Sequence, residues 1–208
     1  MPTAREALLD AALAALRERP WSAVRMVDVA TAARVSRQTL YNEFGSKDGL
    51  ARALLCREVD TCLDAVDEHT AGTVAVGGTE LLAALGEWLV ERAAARPLLS
   101  ALLTGCWGTR LPAPPPARTV RSGRAPRGGP AQRRADAGGP PCPGDLLALI
   151  RDRVHRATGA DALAVELALR LAVSQLVAPG PDGAGPLVRT ARAALGGLSA
   201  TSPTAGVR

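Results

Sequence analysis

The chain is poor in the groups from which metal and redox centres are built. Its four cysteines, Cys56, Cys62, Cys106 and Cys142, contain no Cys-x-x-Cys pair, and its two histidines, His69 and His155, stand apart from them in sequence. No metal site and no cofactor is expected, and the thiols are expected to be reduced. No secretory signal is expected at the N-terminal end, because Asp10 interrupts the apolar run from Leu8 to Leu16. The most apolar stretch, Ala160 to Ala178, contains Glu166 and Arg170 and is short of the roughly 20 apolar residues a bilayer requires. A cytoplasmic protein with no membrane contact is the expectation. Neither an activated nucleophile, a carboxylate pair nor a phosphate-cradling glycine loop is evident, so the chain does not read as an enzyme.

Acidic residues are scarce in one place, and that scarcity explains the charge. The net charge is +5, yet residues 112–144 alone hold six Arg against the single acid Asp136. The rest of the chain sums to zero, so overall basicity says nothing about partners. Its distribution says more. Met1 to Arg57 carries nine basic and six acidic groups, while Glu58 to Leu111 carries three and eight. The N-terminal end is the positive one.

What is there begins between Val24 and Leu50, where two short helical patterns are joined by a tight turn and followed by Ser46-Lys47. Ser36 can accept from the free N–H groups that open a helix, and Gly45 suits a left-handed stop, so Ser36 to Phe44 is a short, separately capped helix. Leu40 and Phe44, four apart, face a core, while Arg37, Gln38, Tyr41 and Asn42 face outward. Arg pairs with guanine, Gln and Asn with adenine, and Tyr reaches phosphate or thymine. Lys47 puts positive charge at the positive end of a helix dipole, which suits a site that receives an anion such as a DNA phosphate.

The stretch from about Arg5 to Arg57 resembles the DNA-binding domain of the TetR family of bacterial transcription regulators, through Val35-Ser36, Thr39-Leu40-Tyr41, Phe44 and Ser46-Lys47. The resemblance implies an all-α protein. Three N-terminal helices (residues 1–50, with the helix-turn-helix at about 26–45) would hold DNA, and a helical body (51–111 and 145–196) would bind an effector and form a homodimer. It implies a DNA-facing set of Arg25, Ser36, Arg37, Gln38, Thr39, Tyr41, Asn42 and Lys47, and a double-stranded operator as partner. The chain departs from the family pattern twice. Arg34 stands where the family has glycine in the turn, at a cost of about 1 kcal/mol if its φ is positive. Arg25 stands where the family has a capping Ser or Thr.

Elsewhere the periodicity is helical. Thr3 and Glu6 are spaced as a capping box before a stripe of Leu8, Leu9, Ala12, Leu13 and Leu16. Met26 to Ala33 forms the second helix, and Trp21 is expected in the core. A longer helix runs from Lys47 to about Asp67, Gly72 and Gly77-Gly78 mark a loop, and Thr79 to Ala95 repeats a stripe. Trp88, Cys106 and Trp107 are candidates for the wall of a pocket taking a small lipophilic effector, and equally for plain core. Residues 112–144 hold nine of the sixteen prolines, which excludes helix and points to a disordered insertion. Three origins fit it: a basic tether, an inert loop, or a stretch translated out of frame, since GC-rich codons encode Ala, Pro, Arg and Gly in almost any frame. Helix resumes at Asp145. Asp161 to Ala178, apolar nearly all round, and Pro186 to Leu195 are candidates for the dimer interface through Leu167, Leu171, Leu176, Leu187, Ala191 and Leu195. Residues 197–208 read as a frayed tail. The composite expectation is a ligand-responsive repressor. The alternative is a ligand-sensor or protein-interaction protein with impaired DNA binding.

Overall fold

Thr3 opens the first helix by the exchange its spacing predicts: its hydroxyl accepts the Glu6 N–H at 3.2 Å, and the Glu6 carboxylate accepts the Thr3 N–H at 2.6 Å. In the computed structural model, which describes residues 3–73, 78–114 and 139–180, every regular element among the described residues is helical. The expected all-α class holds. The chain forms two compact units, residues 1–60 with 106–141, and residues 61–105 with 142–208.

The first unit contains α1 (Ala4–Glu18), a 3-10 turn (Trp21–Ala23), α2 (Met26–Ala32), α3 (Arg37–Phe44) and the start of α4 (Lys47–Thr73). Its core joins Leu8, Leu9, Ala12 and Leu16 of α1 to Val29 and Ala30 of α2, Leu40 and Phe44 of α3, and Leu50, Leu54 and Leu55 of α4. These are the positions the 3.6-residue period selects, and burying each large side chain contributes about 1.5–3 kcal/mol. Between α2 and α3 the Val35 N–H donates to the Ala30 carbonyl at 3.0 Å and the Arg34 N–H to the Thr31 carbonyl at 3.1 Å. That pair of bonds is the helix stop that requires a left-handed residue, and Arg34 supplies it at φ 55°. Across the unit, Arg5 lies 4.9 Å from the Phe44 ring centroid and pairs with Glu43 at 3.6 Å, tying α1 to α3.

The second unit contains the rest of α4 with α5 (Gly78–Ala95), α6 (Pro97–Thr104), α7 (Pro143–Thr158) and α8 (Ala162–Val177). Here α8 packs on α5, α6 and α7. Leu85, Leu89, Leu99, Leu102, Leu146, Ile150, Val165 and Leu169 are buried in it. Asp161 caps α8 by accepting the Ala164 N–H at 2.9 Å, and Glu166 is held by Arg151 at 3.1 Å and Arg170 at 2.7 Å. An ion pair joins Arg153 to Asp67. No helix among the described residues is long and apolar enough to cross a membrane.

Four expectations need correction. α4 does not stop near Asp67 but runs to Thr73, straight through Gly72. A glycine inside a helix costs only about 1 kcal/mol, and two residues before it, Thr70 hydrogen-bonds back to the Val66 carbonyl at 2.9 Å and adds no break. Likewise, Gly78 belongs to α5, not to a loop. The segment expected to be disordered from 112 to 144 has defined structure at each end, at 112–114 and 139–144. Pro112 is buried, and the preceding Arg110 carbonyl accepts the Trp21 N–H at 2.8 Å. At the other end α7 begins at Pro143, which lacks the N–H a first-turn residue would leave unpaired, and the Cys142 sulfur accepts the Asp145 N–H at 3.5 Å as a cap. Residues 115–138 of that segment, the helix expected at Pro186 to Leu195, and the tail lie outside the described residues.

Candidate nucleic-acid interface

The recognition-helix reading starts from a cap. Ser36 has extended backbone and its hydroxyl accepts the Thr39 N–H at 3.0 Å, while Gly45, at φ 71°, ends α3 with its N–H on the Tyr41 carbonyl at 2.9 Å. With both ends satisfied, eight residues hold a helix whose inner face is anchored by the fully buried Leu40 and Phe44. The outer face then has no freedom of register. Arg37, Gln38, Tyr41 and Asn42 are all exposed on it, Tyr41 by 49%.

These four are not equivalent. The Gln38 amide nitrogen donates to the Asn42 side-chain oxygen at 2.9 Å, joining two of the outward groups. Thr39, half-buried, spends its hydroxyl on Ser36 at 2.8 Å. Both Ser36 and Thr39, read as DNA-facing, are thus committed in part to the cap, though each oxygen keeps further hydrogen-bonding capacity.

Arg25 sits at the head of α2 with extended backbone and no side chain capping the helix. Its guanidinium, 74% exposed, instead forms two bonds of 3.1 and 3.2 Å to Asp28, which also receives Arg19 at 3.3 Å. Asp28, in the first turn, supplies the negative charge favoured at a helix N-terminus. The missing cap at Arg25 is thereby offset by electrostatics. At the head of α4, Ser46 accepts the Gly49 N–H at 3.1 Å. Lys47 beside it donates to the Ser22 carbonyl at 3.2 Å and lies 5.4 Å from the centroid of the Trp21 ring. Burial lowers the pKa of Lys47 below its ordinary value, and the Asp48 charge opposes that shift. Trp21, expected in the core, is half-buried and offers a face to this ammonium.

Arg25, the exposed face of α3 and Lys47 therefore all belong to the first unit. The proposed pocket residues are divided. Trp88, half-buried in the second unit, stacks on His69 with ring centroids 4.8 Å apart and planes 19° apart, and Arg92 lies 5.4 Å from its centroid. Cys106 is exposed and Trp107 half-buried, and both belong to the first unit. An open groove of about 470 Å³, walled by Ala11, Ala14 and Ala15 of α1 and by Ala32 and Ala33, also belongs to the first unit. Of the interface candidates, Leu167, Leu171 and Leu176 are half-exposed on α8, beside Leu163 at 66% and Val177 at 59% exposure. Leu187, Ala191 and Leu195 lie outside the described residues.

Sequence reasoning did not find the Lys47 seat on Trp21 and Ser22, because nothing local connects residues 25 positions apart. The Gln38–Asn42 bond had a usable signal, their spacing of four on one helix face. The His69–Trp88 stack had none.

Residues 8–54 match the family model described as bacterial regulatory proteins, tetR family. The HTH-type transcriptional regulator AlkX of Mycobacterium tuberculosis (strain ATCC 25618 / H37Rv) is 42% identical over 101 residues, covering 49% of this chain and 47% of that protein. The chain thus matches about half the length of this curated relative. The crystal structure of the TetR family repressor AlkX from Dietzia sp. strain DQ12-45-1b, implicated in biodegradation of n-alkanes, has the same fold, with a TM-score of 0.53 at 22% identity over 95% of this chain and 98% of that one.

Proposed function

We propose that this chain, whose residues 8–54 match the family model of bacterial regulatory proteins, tetR family, is a cytoplasmic transcriptional repressor that binds a roughly palindromic DNA operator as a homodimer. The observation that carries the reading is the exposed row of Arg37, Gln38, Tyr41 and Asn42 on a helix capped at both ends and pinned by Leu40 and Phe44. A helix so held can enter a major groove with its polar face toward base edges. Arg25, Ser36, Thr39 and Lys47 flank it as backbone-positioning groups. Two copies give two half-sites, so symmetry of the operator follows from symmetry of the dimer.

The dimer contact is assigned to α8 together with residues 186–195. Leu163 and Val177 leave apolar surface exposed on α8 in a single chain, and a second copy would cover it. Residues 51–111 and 145–196 form the effector-binding body in this reading, with Trp88 on its wall. The effector is a lipophilic small molecule in this reading, in keeping with the n-alkane connection of the Dietzia repressor. It acts by binding better to a conformation whose half-site spacing does not fit the operator. The role is regulatory and not enzymatic.

Recovery of genomic DNA fragments by the immobilised protein tests this directly. One or a few palindromic sequences should be enriched, and binding should weaken steeply with salt, by a log-log slope of about 0.9 per neutralised phosphate. Enrichment of nothing above background would favour a sensor that has lost DNA binding, a second reading motivated by the strained Arg34 in the helix-turn-helix.

A further inference from the structure

The hydrogen bond from the Gln38 amide nitrogen to the Asn42 side-chain oxygen, 2.9 Å, gives these two outward residues different work. We infer that Gln38 reads an adenine in the major groove and that Asn42 is a positioning residue that fixes the Gln38 amide for that contact. The inference rests on the DNA-binding reading above.

A side-chain amide recognises adenine with two atoms at once: its oxygen accepts from the N6 amino group and one N–H donates to N7. Gln38 has two amide hydrogens and one oxygen. The hydrogen that lies on the oxygen's side is the one the adenine contact uses, and the hydrogen pointing away from it is free for a neighbour. Asn42 accepts one Gln38 hydrogen, so the pairing edge of Gln38 stays whole when the outer hydrogen is the one engaged. Gln38 is also the second residue of α3, whereas Asn42 is one turn further on. A recognition helix contacts base edges through its N-terminal residues, so the reader is Gln38 and the support is Asn42.

The bond changes what recognition costs. A free glutamine has three rotatable bonds to freeze when it docks, and its amide can turn to offer either edge. Tethered one turn away, it meets the groove with fewer states to lose. A surface bond between neighbours four apart would otherwise serve the helix alone and stabilise it only slightly. The two roles differ in one observable: a helix staple changes stability, whereas a positioning bond changes base preference at one place.

The test uses the full chain and a pool of random duplex DNA, selected in parallel by the wild type and by the variants Gln38→Ala, Asn42→Ala and Asn42→Asp. Low salt keeps binding measurable in spite of the charge that Asn42→Asp adds. The wild type should prefer A·T about tenfold at one pair in each half-site, which is within the range of a single bidentate contact. Gln38→Ala should abolish preference at that pair and keep it elsewhere. Asn42→Ala should relax the same pair severalfold, with an unchanged melting curve. Asn42→Asp keeps the acceptor and has no amide to donate, so the preference should survive at lower overall affinity. Relaxation of different pairs by Gln38→Ala and Asn42→Ala, loss of preference with Asn42→Asp, or a Gln38-dependent pair that is not A·T overturns the inference while leaving the regulator reading intact. Selection of no sequence by the wild type overturns both.

Discussion

The side-chain nitrogen of Lys47 stands 5.4 Å from the centroid of the Trp21 ring and 3.2 Å from the Ser22 carbonyl oxygen, to which it donates. Two weak attractions thus hold a cation at the N-terminus of α4, where the helix dipole repels it. The ammonium has three hydrogens and uses one. It is a held donor with capacity to spare, on the first unit that also carries the exposed face of α3.

Lys47 is the single lysine among the 25 basic residues of the chain, and that makes its contact with DNA directly measurable. An amine-directed acylating reagent should modify Lys47 in the free protein, and a bound duplex recovered in the genomic selection should protect it, as read by peptide mass mapping. Lys47→Gln should weaken binding to all sequences alike and reduce the salt slope by about 0.9, one phosphate's worth. Equal labelling with and without DNA would remove Lys47 from the interface.

Arg34→Gly should stabilise the first unit. A left-handed backbone costs an L-residue about 1–2 kcal/mol, and the extra freedom glycine gives the unfolded chain takes back about 0.4–1 kcal/mol. A net gain of about 0.5–1 kcal/mol, visible as a rise in the urea midpoint with unchanged slope, is expected. Arg34→Ala should give no such gain, because alanine keeps the penalised Cβ. A stop that gained equally from both would owe its weakness to the Arg34 side chain and not to φ.

The Arg34 strain was legible through the family resemblance, which has glycine at this turn, and it carries over because a helix stop is a local device: six consecutive residues specify both bonds. The same holds for the Thr3 box, the Ser36 cap and the α3 faces, all set by spacings of three or four. Lys47 on Trp21 was not legible, since that contact depends on how two turns meet after the core has formed. Cys142 as a cap was missed for a different reason. Sulfur is a weak acceptor, and cysteine is not among the residues that ordinarily begin helices. Gly72 misled because a glycine marks a loop only when nothing outweighs its modest helix cost, and here α4 has buried residues up to Thr70 to carry it.

Truncations on α3 should separate folding from recognition. Leu40→Ala leaves a cavity in a fully buried site and should cost about 2–5 kcal/mol, enough to unfold a small domain at moderate temperature. Tyr41→Ala removes a half-exposed ring and should stay within about 0.5 kcal/mol of wild type. Tyr41→Ala combined with Lys47→Gln should abolish operator binding with a native circular dichroism spectrum. Retained affinity in that double variant would show that another face of the protein meets DNA.

His69 gives the second unit a pH dependence that can be isolated. Its ring stacks on Trp88 at 4.8 Å, and burial pushes its pKa below the ordinary imidazole value. The folded state therefore favours the neutral ring more than the unfolded state does. Between the lowered folded value and the ordinary value of about 6.5, the unfolded chain binds more protons, so stability rises with pH. The contribution is complete above about pH 6.5 and is lost progressively as pH falls below it. His69→Phe keeps a ring for Trp88 and removes the titration. Every other ionisable group is common to both proteins, so the informative quantity is the difference between the two stability profiles measured by urea unfolding from pH 7.5 to 5. The wild type should lose more stability than the variant on acidification. Parallel profiles would mean that the His69 ring is as well solvated in the folded chain as in the unfolded one.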